Sequence, residues 1–184
     1  MLTWEELEKV CSGCRKCELH AKRTNVVLGM GNRQGKIMFI GEGPGEQEDL
    51  QGLPFVGPAG LLLDKMLAAI ELNRELVYIA NVVKCRPPYN RDPKEEEKEA
   101  CLNYLRNQVL LVRPKILVCL GRIAAQAIIS PDFKITSQRG QWIERKGYYL
   151  MATYHPAALL RDPGKKQPAW EDFKSIKQKY LELA

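Results

Sequence analysis

The sequence predicts an α/β fold, a three-layer α/β/α sandwich around a central, mainly parallel sheet of four strands. Four continuous apolar runs of strand length support this prediction: KIMFIG at 36–41, VYIANVV at 77–83, KILVCLG at 115–121 and YLMATY at 149–154. Such runs are typical of parallel strands that are buried on both faces. Helical patterns separate or follow the runs, at 60–72, 94–112, 122–129 and 170–184. Strands that alternate with helices favour this doubly wound class.

Length and charge narrow the range of functions. The chain has 184 residues and is expected to form one domain, residues 1–184. Its formal net charge of +6 weakly favours a polyanionic partner such as nucleic acid. No apolar run approaches the roughly 20 residues that cross a bilayer, and the acidic start MLTWEELEKV lacks the apolar core of a signal peptide. We therefore expect a cytoplasmic protein without a membrane partner.

Six cysteines suggest a metal site. The segment CSGCRKC supplies Cys11, Cys14 and Cys17, and Cys85 and Cys101 follow much later in the chain. Two thiolates on one local turn and two distant ones can close a four-sulfur cage for zinc or for an iron–sulfur cluster, and the spacing does not choose between them. Single buried thiols are the alternative, which we expect for Cys119 inside the strand KILVCLG.

The loop after the first predicted strand, GEGPGEQEDLQGLPFVGPAG at 41–60, holds glycines that allow backbone N–H groups to approach a ligand. Two further polar segments follow strands, NVVKCRPP from 81 and HP at 155–156. Ligands of such sheets bind outside the carboxyl ends of the strands. The loop lacks the GxGxxG spacing and the P-loop lysine of nucleotide-binding proteins. On their own, the loop acids would be solvated charges and the histidine a structural residue.

Taken together, these motifs resemble family 4 of the uracil-DNA glycosylase superfamily, whose members carry a [4Fe-4S] cluster. The resemblance runs from Cys14 to Arg161 and includes the loop at 41–60, NVVKCRPPYNRDP, CLG and YHPAALLR in the order of the family. It implies a DNA repair enzyme that flips uracil out of DNA, hydrolyses the N-glycosidic bond and leaves an abasic site. A non-catalytic four-cysteine module that binds nucleic acid, or a glycosylase for another base such as hypoxanthine, is the alternative.

The resemblance also implies the ligands of the cluster. In the family, a CxxCxL segment shortly precedes a stretch that is similar to RTNVVLG in this chain. The ligand role therefore falls on Cys14, Cys17, Cys85 and Cys101, with Cys11 as an extra cysteine that could replace one of them. The cluster is expected to be structural and to clamp the Pro-rich loop near DNA.

The remaining site residues follow from the same resemblance. Glu42 is expected to position water and stabilise the developing sugar cation, while His155 and the backbone around Gly43 stabilise the charge on uracil O2. The residues implied to contact the base are Phe55 as the stacking platform, Asn81 as the reader of the Watson–Crick edge, Glu48 beside C5 and Asp49 as a neighbouring acid. The amide of Asn81 offers a donor for O4 and an acceptor for N3–H, which suits uracil and not cytosine.

Expected DNA contacts lie on the rim of the same site. The residues are Leu159 or Leu160 as a wedge in the base stack and Arg161, Arg86, Lys84 and Arg91 at phosphates. The expected partner is single- or double-stranded DNA that contains uracil, and the enzyme is expected to be a monomer. A sliding clamp or another repair protein is a further candidate partner. A related branch has Gln at the position of Gly43 and a histidine in the Pro-rich loop that attacks the sugar. RPPYNRDP has no histidine, so multiple turnover without a covalent adduct is expected.

Overall fold

The computed structural model describes all residues, 1–184, and has one mixed sheet of six strands in the order β1-β3-β2-β4-β6-β5. The strands are β1 Met30–Gly31, β2 Ile37–Gly41, β3 Tyr78–Asn81, β4 Ile116–Leu120, β5 Ile143–Arg145 and β6 Tyr148–Thr153. The four predicted strands are β2, β3, β4 and β6, which pair in parallel and form the centre of the sheet.

The sequence prediction of four strands missed the two edge strands. β1 pairs antiparallel with β3, and β5 pairs antiparallel with β6. They have only two and three residues and are not fully buried, so neither produces the continuous apolar run that identified the central strands.

Helices cover both faces of the sheet. The α-helices are α1 Trp4–Ser12, α2 Glu46–Gln51, α3 Pro58–Ala69, α4 Glu95–Val112, α5 Arg122–Ile128, α6 Ile135–Gln138, α7 Pro156–Arg161 and α8 Lys166–Glu182. Short 3-10 helices lie at Glu18–Ala21, Pro88–Asn90 and Pro163–Lys165. None of the helices combines the length and the apolar character that crossing a bilayer requires.

Alternation along the strands divides the core in two. In β2, Met38 and Ile40 belong to one apolar cluster, which includes Tyr104 and Leu105 of α4. The alternate residues of β2, Ile37 and Phe39, belong to a second cluster with residues of α3 and α8. Because successive side chains of a strand point to opposite faces, the sheet lies between two helical layers, and the predicted three-layer α/β/α fold is confirmed.

The parallel register sets the position of the site. Gly41 of β2 is opposite Asn81 of β3, and Leu120 of β4 is opposite Thr153 of β6, so the four central strands end at one edge. The polar segments that follow these strands therefore meet there.

Candidate active site

A cleft of about 860 Å³ opens at the carboxyl edge of the sheet. It is lined by loops that follow all four central strands. The predicted site residues that line it are Glu42, Gly43, Glu48, Phe55, Asn81, His155 and Arg161. The structure thus brings together residues that are up to 119 positions apart in the chain, from Glu42 to Arg161.

Glu48 fixes the shape of the loop after β2. Its carboxylate accepts hydrogen bonds from the backbone N–H groups of Gly45 at 3.1 Å, Val56 at 3.0 Å and Gly57 at 3.0 Å. One carboxylate thereby ties the start of α2 to the segment before α3. Because three N–H groups use its oxygens, Glu48 lies at the cleft as a fixed wall.

Phe55 lies in this segment with its ring against the strand ends. Its φ of 53° is in the left-handed region, which is costly for a bulky residue. The ring lies 5.5 Å from the ring of His155, at an interplanar angle of 25°. A Cβ on Gly41 would come within 2.5 Å of both the Phe55 ring and Asn81 Oδ1. Only glycine at the end of β2 therefore allows these two side chains to approach each other.

Asn81 presents an unpaired acceptor at the cleft. The residue is 2% exposed, and its Oδ1 atom is buried without a hydrogen-bond partner. Leaving such an oxygen unsatisfied costs about 1–3 kcal/mol, which a donor from a ligand would recover. The unpaired atom is therefore the clearest mark of ligand recognition in the cleft.

Lys84 supports Asn81 from behind and does not reach DNA. Its ammonium group donates to the backbone oxygen of Asn81 at 2.7 Å and to Gln108 Oε1 at 2.6 Å, and the residue is only 1% exposed. Burial lowers the pKa of Lys84 to about 8. The expectation that Lys84 meets phosphates is wrong, because its side chain is enclosed by the core.

His155 is held in a defined tautomer. It is the N-cap of α7, and its Nδ1 accepts a hydrogen bond from the N–H of Ala157 at 3.0 Å. Burial, and next the positive charge of Arg161, lower the pKa of His155 to about 4. At neutral pH the ring is therefore uncharged and carries its proton on Nε2, which makes Nε2–H a donor.

Glu42 is the acid with the most altered titration in the cleft. Burial, and next the negative charge of Asp92, raise the pKa of Glu42 to about 7, against a smaller opposing effect of Arg122 and Arg161. A carboxyl group with a pKa near neutrality can act as a base or become an anion within the working range. Glu42 follows β2 directly, and its backbone oxygen accepts from Val83 N at 3.1 Å.

The rim distinguishes the two leucines of the predicted wedge. Leu159 is 2% exposed and packs in the interior, whereas Leu160 is 48% exposed. Leu159 therefore cannot enter a base stack without unfolding α7, and the assignment of a DNA contact to Leu159 is corrected to Leu160. Arg161 lies beside Leu160 and lines the cleft.

Two arginines of the Pro-rich loop are partly engaged within the protein. Arg91 forms a bidentate ion pair with the buried Glu97, at 2.7 and 2.9 Å. This guanidinium group is therefore bound to the first turn of α4. Arg86 Nε donates to Asn90 Oδ1 at 2.9 Å, and the two Nη groups of Arg86 form no hydrogen bond within the protein. Arg91 also lines the cleft.

Asp49 lies outside the cleft. It is 5% exposed, and its Oδ1 accepts from the backbone N–H groups of Thr24 at 2.9 Å and Asn25 at 3.2 Å. The expectation that Asp49 contacts substrate is therefore not met, because this carboxylate anchors the segment before β1.

The geometry of the cleft agrees with the comparisons with known proteins. The model of the "Uracil DNA glycosylase superfamily" matches residues 28–174. A type-4 uracil-DNA glycosylase of Archaeoglobus fulgidus is 48% identical over 184 residues, which cover 96% of this chain and 92% of the relative. The chain is a type-4 member of the uracil-DNA glycosylase superfamily. A type-4 enzyme of Thermotoga maritima is 46% identical, with 88% of each chain covered. A type-5 enzyme of Thermus thermophilus is more distant, at 31% identity over 70% of this chain and 68% of the relative.

The cysteines of this type-4 chain converge on a second pocket. Cys11, Cys14, Cys17, Cys85 and Cys101 all line it, whereas Cys119 is buried inside β4 as predicted. The backbone N–H of Lys84 donates to Cys101 Sγ at 3.4 Å, and Arg23 Nη1 donates to Cys85 Sγ at 3.5 Å. N–H donors around sulfur are typical of the surroundings of thiolate-bound metal clusters.

The cysteine pocket is narrow. Its volume of about 10 Å³ is close to that of one water molecule, and no three His, Cys, Asp or Glu side chains converge tightly enough to hold a single metal ion. The donor set, five thiols with N–H donors facing two of them, is of the chemical type that iron–sulfur clusters use.

Sequence reasoning missed three residues of this family member's cleft region. Asp92 and Arg122 form an ion pair at 2.8 Å on the cleft wall and influence the titration of Glu42. Arg122 begins α5, with one residue between it and the end of β4, so its position after a strand could have identified it. Arg74 lies outside the quoted motifs, yet it contacts the backbone of Phe55; no sequence pattern indicated it.

Proposed function

We propose that the protein removes uracil from DNA by hydrolysing the N-glycosidic bond, which releases free uracil and leaves an abasic site for base excision repair. One observation carries this proposal: the buried, unpaired Oδ1 of Asn81 lies in the same cleft as the neutral His155. The likeness to type-4 uracil-DNA glycosylases over 96% of the chain supports it.

Base recognition follows from the chemistry of the Asn81 amide. The base must leave the duplex before its glycosidic bond becomes accessible, which costs a few kcal/mol of stacking and pairing. Uracil N3–H would supply the donor that Asn81 Oδ1 lacks, and uracil O4 would accept from the amide N–H. Cytosine has an acceptor at N3 and a donor at C4, so it would leave both groups of Asn81 unsatisfied.

Phe55 and Glu48 would complete the base pocket. The Phe55 ring supplies an apolar face on which the flipped base stacks. Glu48 is held by three backbone N–H groups and cannot swing aside, so a side chain beside C5 of the base would stay in place. A thymine methyl group would collide with that wall, whereas the hydrogen on C5 of uracil would not.

Bond cleavage requires stabilisation of two opposite charges. As the bond breaks, negative charge grows on uracil O2 and positive charge on the sugar. The Nε2–H of neutral His155 would donate to O2, assisted by backbone N–H groups near Gly43. The ionised Glu42 would stabilise the sugar cation and orient the attacking water, whose proton it can accept. Water then adds to C1′, and uracil leaves with the bonding electrons.

DNA would be held along the rim. Leu160 is the exposed apolar side chain beside the cleft and suits the gap that the flipped nucleotide leaves in the stack. Arg86 and Arg161 supply positive charge for phosphates. The Pro-rich loop RPPYNRDP lacks the histidine that the adduct-forming branch of the superfamily has in this loop, so we propose multiple turnover with no covalent DNA adduct.

We also propose a [4Fe-4S] cluster bound by Cys14, Cys17, Cys85 and Cys101, with Cys11 as the alternative ligand. When bound, the cluster would supply a rigid cross-link between the N-terminal segment, the Pro-rich loop and α4, and it takes no part in the bond cleavage. Iron and sulfide analysis of the purified protein tests it. A colourless protein with stoichiometric zinc would contradict this assignment and favour the zinc alternative.

Incubation with DNA that contains one uracil tests the function. Single-stranded DNA and duplexes with U·G or U·A should be cut at the uracil position after alkaline treatment, with free uracil released in equal amount. The matched oligonucleotide with thymine should stay intact. DNA that contains hypoxanthine is incubated in parallel, because it tests the alternative that the enzyme removes another damaged base. Cleavage of that DNA alone, or no abasic product from any uracil substrate, would overturn the proposal.

A further inference from the structure

The backbone conformation of Phe55 needs an external support. With φ at 53°, a bulky aromatic residue lies in the unfavourable left-handed region, and such residues persist only where their surroundings fix them. Phe55 is also 5% exposed, so water cannot satisfy the polar groups of this turn freely. The side chains that bind these backbone groups therefore determine where the ring lies.

Four successive residues of this turn are bound by two side chains of opposite charge. The backbone oxygens of Pro54 and Phe55 both accept from the guanidinium group of Arg74, the first at 2.9 Å. The N–H groups of Val56 and Gly57 both donate to the carboxylate of Glu48 at 3.0 Å. Glu48 faces the cleft, whereas Arg74 approaches the turn from the loop between α3 and β3.

Arg74 is itself held in one orientation. Its Nε donates to Asp64 of α3 at 2.7 Å, and its Nη1 lies 3.2 Å from the sulfur of Met30 in β1. The side chain is only 19% exposed. Space is limited on the other side of the turn, because a Cβ on Gly60 would lie 1.8 Å from the Phe55 oxygen. The turn is thus confined between α3 and a fixed guanidinium group.

We propose that Arg74 is a positioning residue for the base pocket: by binding two successive backbone oxygens, it fixes Phe55 in the orientation that stacks on the flipped uracil. This inference rests on the proposed excision of uracil. Arg74 touches neither base nor sugar. Lysine cannot replace it fully, because a point charge lacks the fork that reaches Asp64 and both oxygens at once.

A double-mutant cycle of Arg74 and Phe55 tests the proposal. Arg74→Ala should lower the single-turnover excision rate about 100-fold, because a shift of the stacking platform by about 1 Å would misplace the bound base. In the Phe55→Ala background, the same change should have little further effect, because the platform is already absent. Arg74→Lys should lie between Arg74→Ala and the wild type. Additive losses in the cycle, or wild-type excision by Arg74→Ala, would overturn the proposal.

Arg145→Ala is the matched control. Arg145 also donates to two successive backbone oxygens, those of Ile128 at 3.3 Å and Ile129 at 2.9 Å, but these lie outside the cleft. The Arg145→Ala variant should have a lower unfolding temperature, and the folded protein should excise uracil at the wild-type rate. A similar loss of excision in both variants would indicate a purely structural role for Arg74.

Ring spectra separate this inference from the proposed function. The chain has four phenylalanines, so ¹³C-labelled Phe gives few ring signals to assign. Arg74→Ala should shift and broaden the Phe55 signals and leave those of Phe173 unchanged, whether or not the wild type excises uracil. Unchanged Phe55 signals in a folded Arg74→Ala variant would overturn the positioning role. Intact positioning in a wild type without excision would reject the proposed function alone.

Discussion

The cleft and the cysteine pocket are two sites of different kind on one sheet. The cleft has a volume of about 860 Å³ and holds polar groups that are ready for a ligand, such as the unpaired Oδ1 of Asn81. The cysteine pocket has about 10 Å³ and is surrounded by thiols that face N–H donors of the protein. The first has room for a ligand, whereas the second brings together thiols from the N-terminal segment, the Pro-rich loop and α4.

Lys84 connects the two sites. Its backbone N–H donates to Cys101 Sγ at 3.4 Å, and its ammonium group donates to the backbone oxygen of Asn81 at 2.7 Å. The cysteine pocket is therefore linked through Lys84 to the strand end that carries Asn81. The comparison predicts that substitutions in the cleft reduce excision in a stable protein, whereas substitutions in the cysteine pocket first reduce stability.

The largest effect is expected from His155 in the cleft, and His20 at the cysteine pocket is its matched control. His155→Ala should lower the excision rate about 10²–10³-fold, the loss that follows removal of one donor to a developing oxyanion. His20→Ala, at the cysteine pocket, should leave the rate of the folded protein near the wild type. Single-turnover excision of uracil at one temperature, with circular dichroism as the folding control, measures both. Equal losses would remove the functional distinction between the sites.

The pH profile tests the charge on Glu42. Because the pKa of Glu42 is raised to about 7 and the ionised form is the active one, kcat/KM should fall about tenfold per pH unit below pH 7 and level off above it. The pKa of His155, lowered to about 4, keeps that ring neutral throughout this range. Glu42→Gln should abolish the acidic limb together with most of the activity. Glu144→Gln, at an exposed position outside the cleft, is the control, and its profile should match the wild type.

A smaller effect is expected at the rim. Leu160→Ala should lower kcat/KM about 10-fold on duplex DNA and less on single strands, because only a duplex has a stack to fill. Leu159→Ala should instead lower the free energy of unfolding by about 2–5 kcal/mol through loss of core packing. Steady-state kinetics on both substrates and denaturant melts separate the two. A specific loss of duplex activity from a stably folded Leu159→Ala would reverse the assignment.

The smallest effect on the chemistry is expected at the cysteine pocket. Cys14→Ala should remove the visible absorbance of a cluster and lower the unfolding temperature by about 5–10 °C, while the folded fraction still excises uracil. Cys11→Ala should retain the absorbance if Cys11 is the extra thiol. Loss of absorbance in Cys11→Ala and its retention in Cys14→Ala would show that Cys11, and not Cys14, is the ligand.

Local sequence patterns predicted the central strands, because a buried parallel strand produces a continuous apolar run in the sequence. Continuous apolar runs predicted the four central strands, whereas Glu42, Asn81 and His155 were implied by the resemblance to family 4 that the segments after these strands carry. What the sequence missed depends on tertiary contacts. The strands β1 and β5 exist only because a neighbouring strand offers an edge, and Arg74 reaches the Phe55 turn through folding of the chain around α3.

Burial was the second quantity that sequence could not give. Lys84 and Leu159 are in segments that carry site residues, and their side chains are directed into the interior. Asp49 follows Glu48 directly but lies on another side of the short helix α2, where it binds the segment at Thr24. A motif thus locates a loop, whereas the fold decides which of its side chains meet the ligand.

We propose that the Asn81 amide selects uracil through its unpaired oxygen. Asn81→Asp tests it most directly, with the exposed Asn103→Asp as the control and excision measured on matched single strands with one uracil or one cytosine. A protonated carboxyl group can donate to cytosine N3 and accept from its amino group. We expect the Asn81→Asp variant to lose excision of uracil and to gain excision of cytosine. An unchanged preference for uracil in Asn81→Asp would contradict it.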